Sequence, residues 1–160
     1  MARRITVVSA REIPHPRDVV TAAIRDIQNI EVTERKADWV EVHPQTPTDG
    51  TYSVRGHFAG VPWTGEFAYE LNDAGFHSRT AGVPRESAKV EGGFVVTPLA
   101  DGCTVIHYEQ YVLAGWLAPF APLVRGYLRW TMRGELRDLE AMVATASSSA
   151  IAPGVSTSPA

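Results

Sequence analysis

The stretch AGWLAPFAPLVRGYLRWTMRGELRDLEAMV, residues 114–143, decides the fold of this chain. Apolar residues fall at Leu117, Phe120, Leu123, Val124, Tyr127, Leu128, Met132, Leu136, Leu139, Met142 and Val143, with the half-apolar Thr131 in the same series. Spacings of three and four predict one long amphipathic helix beginning at Ala114. Arg125, Arg129, Arg133 and Arg137 recur every four residues on the opposite side and read as a solvated face broken up by Asp138 and Glu140. A helix of this length with a single apolar stripe needs a wide surface to lie on. The segments before it supply one, because they read as a run of short strands.

Working outward, residues 5–11 form a first strand that Pro14-His15-Pro16 interrupts. Pro16 suits a first helical turn, where its missing N–H would be unpaired anyway. Val19, Val20, Ala23, Ile24 and Ile27 then mark a helix over 16–27. Residues 26–36 are open to two readings, a second short helix or the lead-in to a strand. Six further strands follow at 37–43, 51–58, 62–71, 75–80, 87–97 and 103–113. The turns between them are Pro47-Thr48-Asp49-Gly50, Ala59-Gly60, Asn72-Asp73-Ala74-Gly75, Gly82-Val83-Pro84 and Asp101-Gly102. Such short gaps predict an antiparallel meander. Gly92-Gly93 inside a strand marks a bulge or a sharp bend. Residues 147–160 are Ser, Ala, Pro and Gly with a little Ile, Val and Thr and no charge, and are expected to be a disordered tail behind a single domain over 1–146.

Composition narrows the function. A chain of 160 residues at 44% hydrophobic and 21% charged is an ordinary globule able to bury its own core. A formal charge of −3 offers no footprint for nucleic acid or for an anionic membrane. Cys103 is alone, so the chain has neither an internal disulfide nor a multi-cysteine metal site, and it reads as a small buried residue. No stretch is long and apolar enough to span a bilayer, so a cytoplasmic location is expected. His15, His43, His57, His77 and His107 lack metal-ligand spacing and read as single exposed strand or loop residues. No metal and no cofactor is expected, and the usual hydrolase and nucleotide signatures are absent.

The order of elements, together with IPHPRDVV (13–20), FVVTPLADGCTVIHY (94–108), LAPFAPLV (117–124) and LRDLEAMV (136–143), resembles the START-like (SRPBCC, helix-grip) superfamily, which includes Bet v 1-like proteins and bacterial polyketide cyclases. The resemblance implies an α+β helix-grip fold. A curved antiparallel sheet of about seven strands would wrap a long C-terminal helix, with a short helix after the first strand and an apolar cavity between sheet and helix. The chain departs from the pattern in one respect: the second helix usual after the first strand is at best vestigial.

Candidate site residues follow from strand parity and helix phase. The segment from Trp63 to Leu71 alternates Trp63, Gly65, Phe67, Tyr69 and Leu71 against polar residues, which points Trp63, Phe67 and Tyr69 inward. Tyr52, Phe58, Phe94, Tyr108 and Tyr127 fall on the inner faces assigned to their elements, and Gln110 shares the face of Ile106 and Tyr108. These rings either line a ligand pocket or fill a core. On the last helix Thr131 and Glu135 sit near the centre of the stripe. Glu135 then pairs with an inward cation, faces a wet cavity as an acid or base, or lies at a solvated edge. Arg55 corresponds to the cavity arginine that the resemblance implies for aromatase/cyclases, although its parity places it outside. The candidate set is therefore Glu135, Arg55 and Tyr69 for catalysis and Trp63, Phe67, Phe94, Tyr108, Gln110, Tyr127 and Thr131 for binding. The partner expected is an apolar, polyketide-like or polycyclic molecule. The chain either guides cyclisation or dehydration of that molecule without a covalent intermediate or carries it unchanged. A third alternative is an interaction module whose interior is filled by side chains.

Overall fold

The computed structural model describes residues 2–81 and 88–151; the sequence turn at Gly82-Val83-Pro84 and the tail beyond residue 151 lie outside them. The elements run β1 (Arg3–Ile13), α1 (Arg17–Arg25), a 3-10 turn (Ile27–Asn29), α2 (Ile30–Thr33), β2 (Trp39–Pro44), β3 (Asp49–Phe58), β4 (Val61–Asn72), β5 (Gly75–Thr80), β6 (Ala88–Leu99), β7 (Gly102–Leu113), a 3-10 segment (Gly115–Phe120) and α3 (Ala121–Ile151). The seven strands form one antiparallel sheet in the order β1-β7-β6-β5-β4-β3-β2. This is the helix-grip α+β fold, a curved sheet closed by its long last helix. The segment left open in the sequence contains a second helix, reduced to a 3-10 turn and the single turn of α2.

The last helix begins later than its apolar spacing predicts. Pro119 and Pro122 lack the N–H that an α-helical ladder needs, so residues 115–120 wind as a 3-10 segment and the α-helix starts at Ala121. The stripe restarts in phase there. Leu128, Met132, Leu136, Leu139 and Val143 are buried, whereas Phe120 and Leu123 stand exposed. Arg125, Arg129, Arg133 and Arg137 are all exposed. At its far end the helix continues past Ala146 to Ile151. The hydroxyls of Ser147 and Ser148 donate to the carbonyls of Val143 and Ala144, at 2.9 Å each, and so bond back onto their own helix.

Two apolar clusters hold sheet and helix together. Leu128 and Met132 pack with Ile5 and Val7 of β1 and with Tyr111 and Leu113 of β7. Leu136, Leu139 and Val143 join Ile13, Val20 and Ile24 and the inward residues of β3 to β7. The pairing of β6 with both neighbours runs through Gly92 and Gly93 without a slip, so these glycines form no bulge. A Cβ at Gly93 would collide with the carbonyl oxygen of Phe76 on β5, so the absent side chain lets the two backbones close up.

Candidate functional site

On β7 burial alternates strictly. Cys103, Val105, His107, Glu109, Tyr111 and Leu113 face inward, and the residues between them do not. This reverses the parity read from the sequence, in which Ile106, Tyr108 and Gln110 formed the inner face. Two ionisable residues, His107 and Glu109, therefore point at the interior in the middle of an otherwise apolar row. The segment after α2 brings up their counter-charges. There Gly56 of β3 leaves room for the Lys36 carbonyl, which a Cβ would strike, and Trp63 donates its indole N–H to that same carbonyl at 3.0 Å. Held this way, the Lys36 side chain turns inward and is 3% exposed.

The Lys36 ammonium lies 2.7 Å from Glu135 Oε1, 3.1 Å from Glu109 Oε1 and 3.2 Å from Glu34 Oε2. Tyr111 donates its hydroxyl to Glu109 Oε2 at 3.3 Å. His107 stacks on Phe94, with ring centroids 4.1 Å apart. Its Nδ1 faces Glu135 Oε2 at 3.4 Å, and its Nε2 faces Glu34 Oε1 at 3.6 Å and Glu109 Oε1 at 3.7 Å. His107 Nδ1 and Glu135 Oε2 are both buried and neither has a hydrogen-bond partner. Glu34, His107, Glu109 and Glu135 present ligand atoms within 4.8 Å of one another, a spacing that would suit a metal ion. Lys36 contacts three of these four groups, so the cation among the carboxylates is an ammonium.

Three carboxyls around one ammonium place acidic groups in excess in a buried setting, and the protonation states respond. Burial pushes the Glu135 carboxyl up to about 9, with the Glu34 charge adding to the effect and Lys36 opposing it. Burial likewise raises Glu109. Burial also works against charge on Glu34, but Lys36 and His107 outweigh it and hold that carboxyl below the usual range. Burial lowers His107 to about 4, so its ring is neutral at neutral pH. Lys36 is raised well above its ordinary value because Glu109, Glu34 and Glu135 together overcome its own burial.

This cluster forms one wall of a pocket of about 300 Å³. Glu34, Lys36, His107, Glu109 and Tyr111 reach its surface. The rest of the lining is mostly apolar: Ile30 of α2, Tyr52, Val54 and Phe58 of β3, Trp63 and Phe67 of β4, Phe76 of β5, Val90 of β6, Leu113 of β7, then Leu117 and Val124 at the start of the closing helix. Ser78 adds a hydroxyl, which accepts from Tyr52 at 3.1 Å.

Of the residues singled out in the sequence, Trp63 and Phe67 line the pocket. Glu135 is fully buried behind it, and the cation it meets is Lys36. Phe94 backs the His107 ring. Tyr127 packs on the pocket residue Phe58, with centroids 4.7 Å apart. Thr131 is buried, and its hydroxyl donates to the Leu128 carbonyl. Tyr69 is buried in the core beside Tyr52. Tyr108 and Gln110 stand on the outer face of β7, where the Tyr108 hydroxyl meets His77 Nδ1 at 2.8 Å. Arg55 is exposed and stacks over the Trp39 ring at 4.0 Å, in keeping with its strand parity. His107 is buried rather than exposed, because it stands on the inner face of β7, against Glu135 of α3 and Glu34 after α2. Glu34, Lys36 and Glu109 were not singled out, and His107 was read only as an exposed residue. The available signal was the alternation of Val105, His107, Glu109 and Tyr111, which the more apolar Ile106–Tyr108 row obscured.

Fold and site together define a helix-grip protein with an apolar pocket and a polar wall. The chain belongs to the family described as polyketide cyclase / dehydrase and lipid transport, whose sequence profile matches residues 4–144. No curated protein sequence matches the chain. Among solved structures it is similar to the protein TTHA0849 from Thermus thermophilus, at TM-score 0.77 and 20% identity, covering 89% of this chain and 99% of that one. It is also similar to the Zhui aromatase/cyclase from a Streptomyces species, at TM-score 0.68 and 14% identity over 96% and 99% of the two chains. A third is a STAR-related lipid transfer protein from Xanthomonas axonopodis, at TM-score 0.63 and 16% identity over 87% and 85%. At these identities the likeness is one of fold. Among the described residues, no helix is long and apolar enough to cross a membrane.

Proposed function

We propose that this protein binds a neutral, apolar, polyketide-like or polycyclic molecule in the pocket and acts on an oxygen-bearing part of it. The observation that carries this reading is the division of the lining into an aromatic majority and one wall of Glu34, Lys36, His107, Glu109 and Tyr111. A pocket built only to carry hydrocarbon has no use for ionisable groups whose burial costs several kcal/mol each. The same wall disfavours ligands with a free carboxylate, since Lys36 is already engaged by Glu34, Glu109 and Glu135 and a ligand carboxylate would add negative charge beside them. Family membership and the aromatase/cyclase neighbour support the ligand class; the lipid transfer neighbour supports the alternative of a carrier.

Nile red, a neutral apolar fluorophore, tests the reading. Trp63→Ala should weaken its binding roughly tenfold, as removal of a central aromatic contact does, and Arg55→Ala, on the outer face, should leave it unchanged. Dodecanol should displace the dye and dodecanoate should not. Equal binding by both variants would show that the dye sits elsewhere and would remove the basis for the assignment. Equal displacement by the alcohol and the acid would favour the carrier.

A further inference from the structure

We propose that Glu135, His107 and Glu109 form a proton relay that lets Glu109 act alternately as base and acid on an enolisable ketone of the bound ligand. The proposal rests on the pocket assignment above and adds an activity to it, keto–enol interconversion.

The geometry carries the argument. Glu135 lies behind the pocket and Glu109 on its surface, and the His107 ring stands between them, with Nδ1 facing Glu135 and Nε2 facing both Glu109 and Glu34. Phe94 fixes the ring plane by stacking. A neutral imidazole has one N–H and one lone pair, so a carboxyl that hydrogen-bonds to the lone-pair nitrogen must itself carry a proton. The unpartnered pair, Glu135 Oε2 and His107 Nδ1, meets that condition when the Glu135 carboxyl donates to Nδ1 and Nε2–H points toward Glu109. Moving one proton from Glu135 to Nδ1 and another from Nε2 to Glu109 switches the tautomer and changes the charge of the cluster not at all. His107 is neutral at neutral pH, which the switch requires. The gaps of 3.4 and 3.7 Å exceed hydrogen-bond length by a few tenths of an ångström, within the slack common at unliganded sites.

The chemistry balances. With the proton on Glu135, the Glu109 carboxylate takes a proton from the carbon next to the ligand ketone. The C–H pair becomes the C=C bond, and the carbonyl π pair moves onto oxygen as an enolate, whose charge the Lys36 ammonium offsets. Glu109 then gives that proton to oxygen, forming the enol, and is a carboxylate again. A shift along the relay hands Glu109 a second proton, from Nε2, which it delivers to carbon as it takes back the enol O–H proton. The reverse shift restores the starting charges, so the hydrogen placed on carbon comes from the relay, whose protons exchange with solvent. Nothing is oxidised or reduced, and no co-reactant is needed. Glu109 is thus the catalytic residue, while Glu135 is a positioning residue that acts through His107.

The experiment uses the whole protein with β-tetralone, a neutral bicyclic ketone, in deuterated buffer. Proton NMR follows exchange of its α-hydrogens, and displacement of Nile red reports its binding. The wild type is expected to accelerate exchange above the buffer rate. Glu109→Gln should return it to that rate, and Glu135→Gln should slow it about tenfold, the low end for loss of acid–base assistance, with binding held within about twofold. At neutral pH an infrared band of a protonated carboxyl should be present in the wild type and missing in Glu135→Gln, a signature that a purely structural role would not move. Binding without accelerated exchange in the wild type, or exchange in Glu135→Gln as fast as in the wild type, overturns the relay and leaves the pocket assignment standing. Failure of both β-tetralone and Nile red to bind the wild type overturns the pocket assignment and the relay with it.

Discussion

Lys36 is the residue on which the buried charges depend. Replacing it by Met keeps the length and removes the ammonium, leaving Glu34, Glu109 and Glu135 to face one another. Breaking a buried charge cluster from one side costs about 3–5 kcal/mol, and urea unfolding of Lys36→Met should show a loss of that order. Adding Glu109→Gln should recover part of it, because one of the stranded acids is then gone. Protonation gives a second expectation. A carboxyl raised from the ordinary 4.5 to about 9 contributes stability that is fully present below the lower value and lost as pH rises through the higher one. The wild type should therefore lose stability across that window more steeply than Glu135→Gln. His107 has the opposite sense: lowered from 6.5 to about 4, it contributes stability above 6.5 that disappears as pH falls through 4. Acidification over that range should unfold the wild type more readily than His107→Asn. Urea midpoints taken at several pH values check both slopes; parallel curves for wild type and variants would contradict the cluster.

For the elements, the informative contrast lies along α3. Leu136 is fully buried on the inner stripe, one residue after Glu135, and Arg129 is exposed on the outer face. Leu136→Ala should cost about 2–5 kcal/mol, and Arg129→Ala no more than about 0.5 kcal/mol, both read from denaturant unfolding. The stripe and the arginine row were legible in the sequence because a helical period of about 3.6 registers in local spacing alone. The true start of the helix was less so, since Pro119 and Pro122 alter the winding without changing the apolar pattern. On β7 the period of two was visible but its phase was not. Both rows of that strand contain large residues, and which one faces in depends on the partners that cover it. On β4, where one row is plainly polar, the phase read from the sequence is the one observed.

At the scale of the molecule, a filled pocket should stabilise the fold by mass action. Thermal unfolding with a neutral ketone such as β-tetralone in excess should show a raised midpoint in the wild type and a smaller rise in Trp63→Ala. Dodecanoate should give no rise near neutral pH, and an equal rise from the two compounds would contradict selection by the acidic wall. The sequence by itself determined the order of elements, the antiparallel meander and the inner stripe of the closing helix. These depend on local periodicity and turn chemistry, which neighbouring residues express together. It also made Glu135 conspicuous as an acid among apolar residues, without naming its partner. Only the tertiary structure decided that Lys36, 99 positions away, is that partner, and that Glu34, His107 and Glu109 converge on the same point. Nothing in the spacing of these residues encodes their meeting. It arises because the bent sheet brings β7 over the segment after α2 and closes both against α3, so the site exists only once long-range packing has formed.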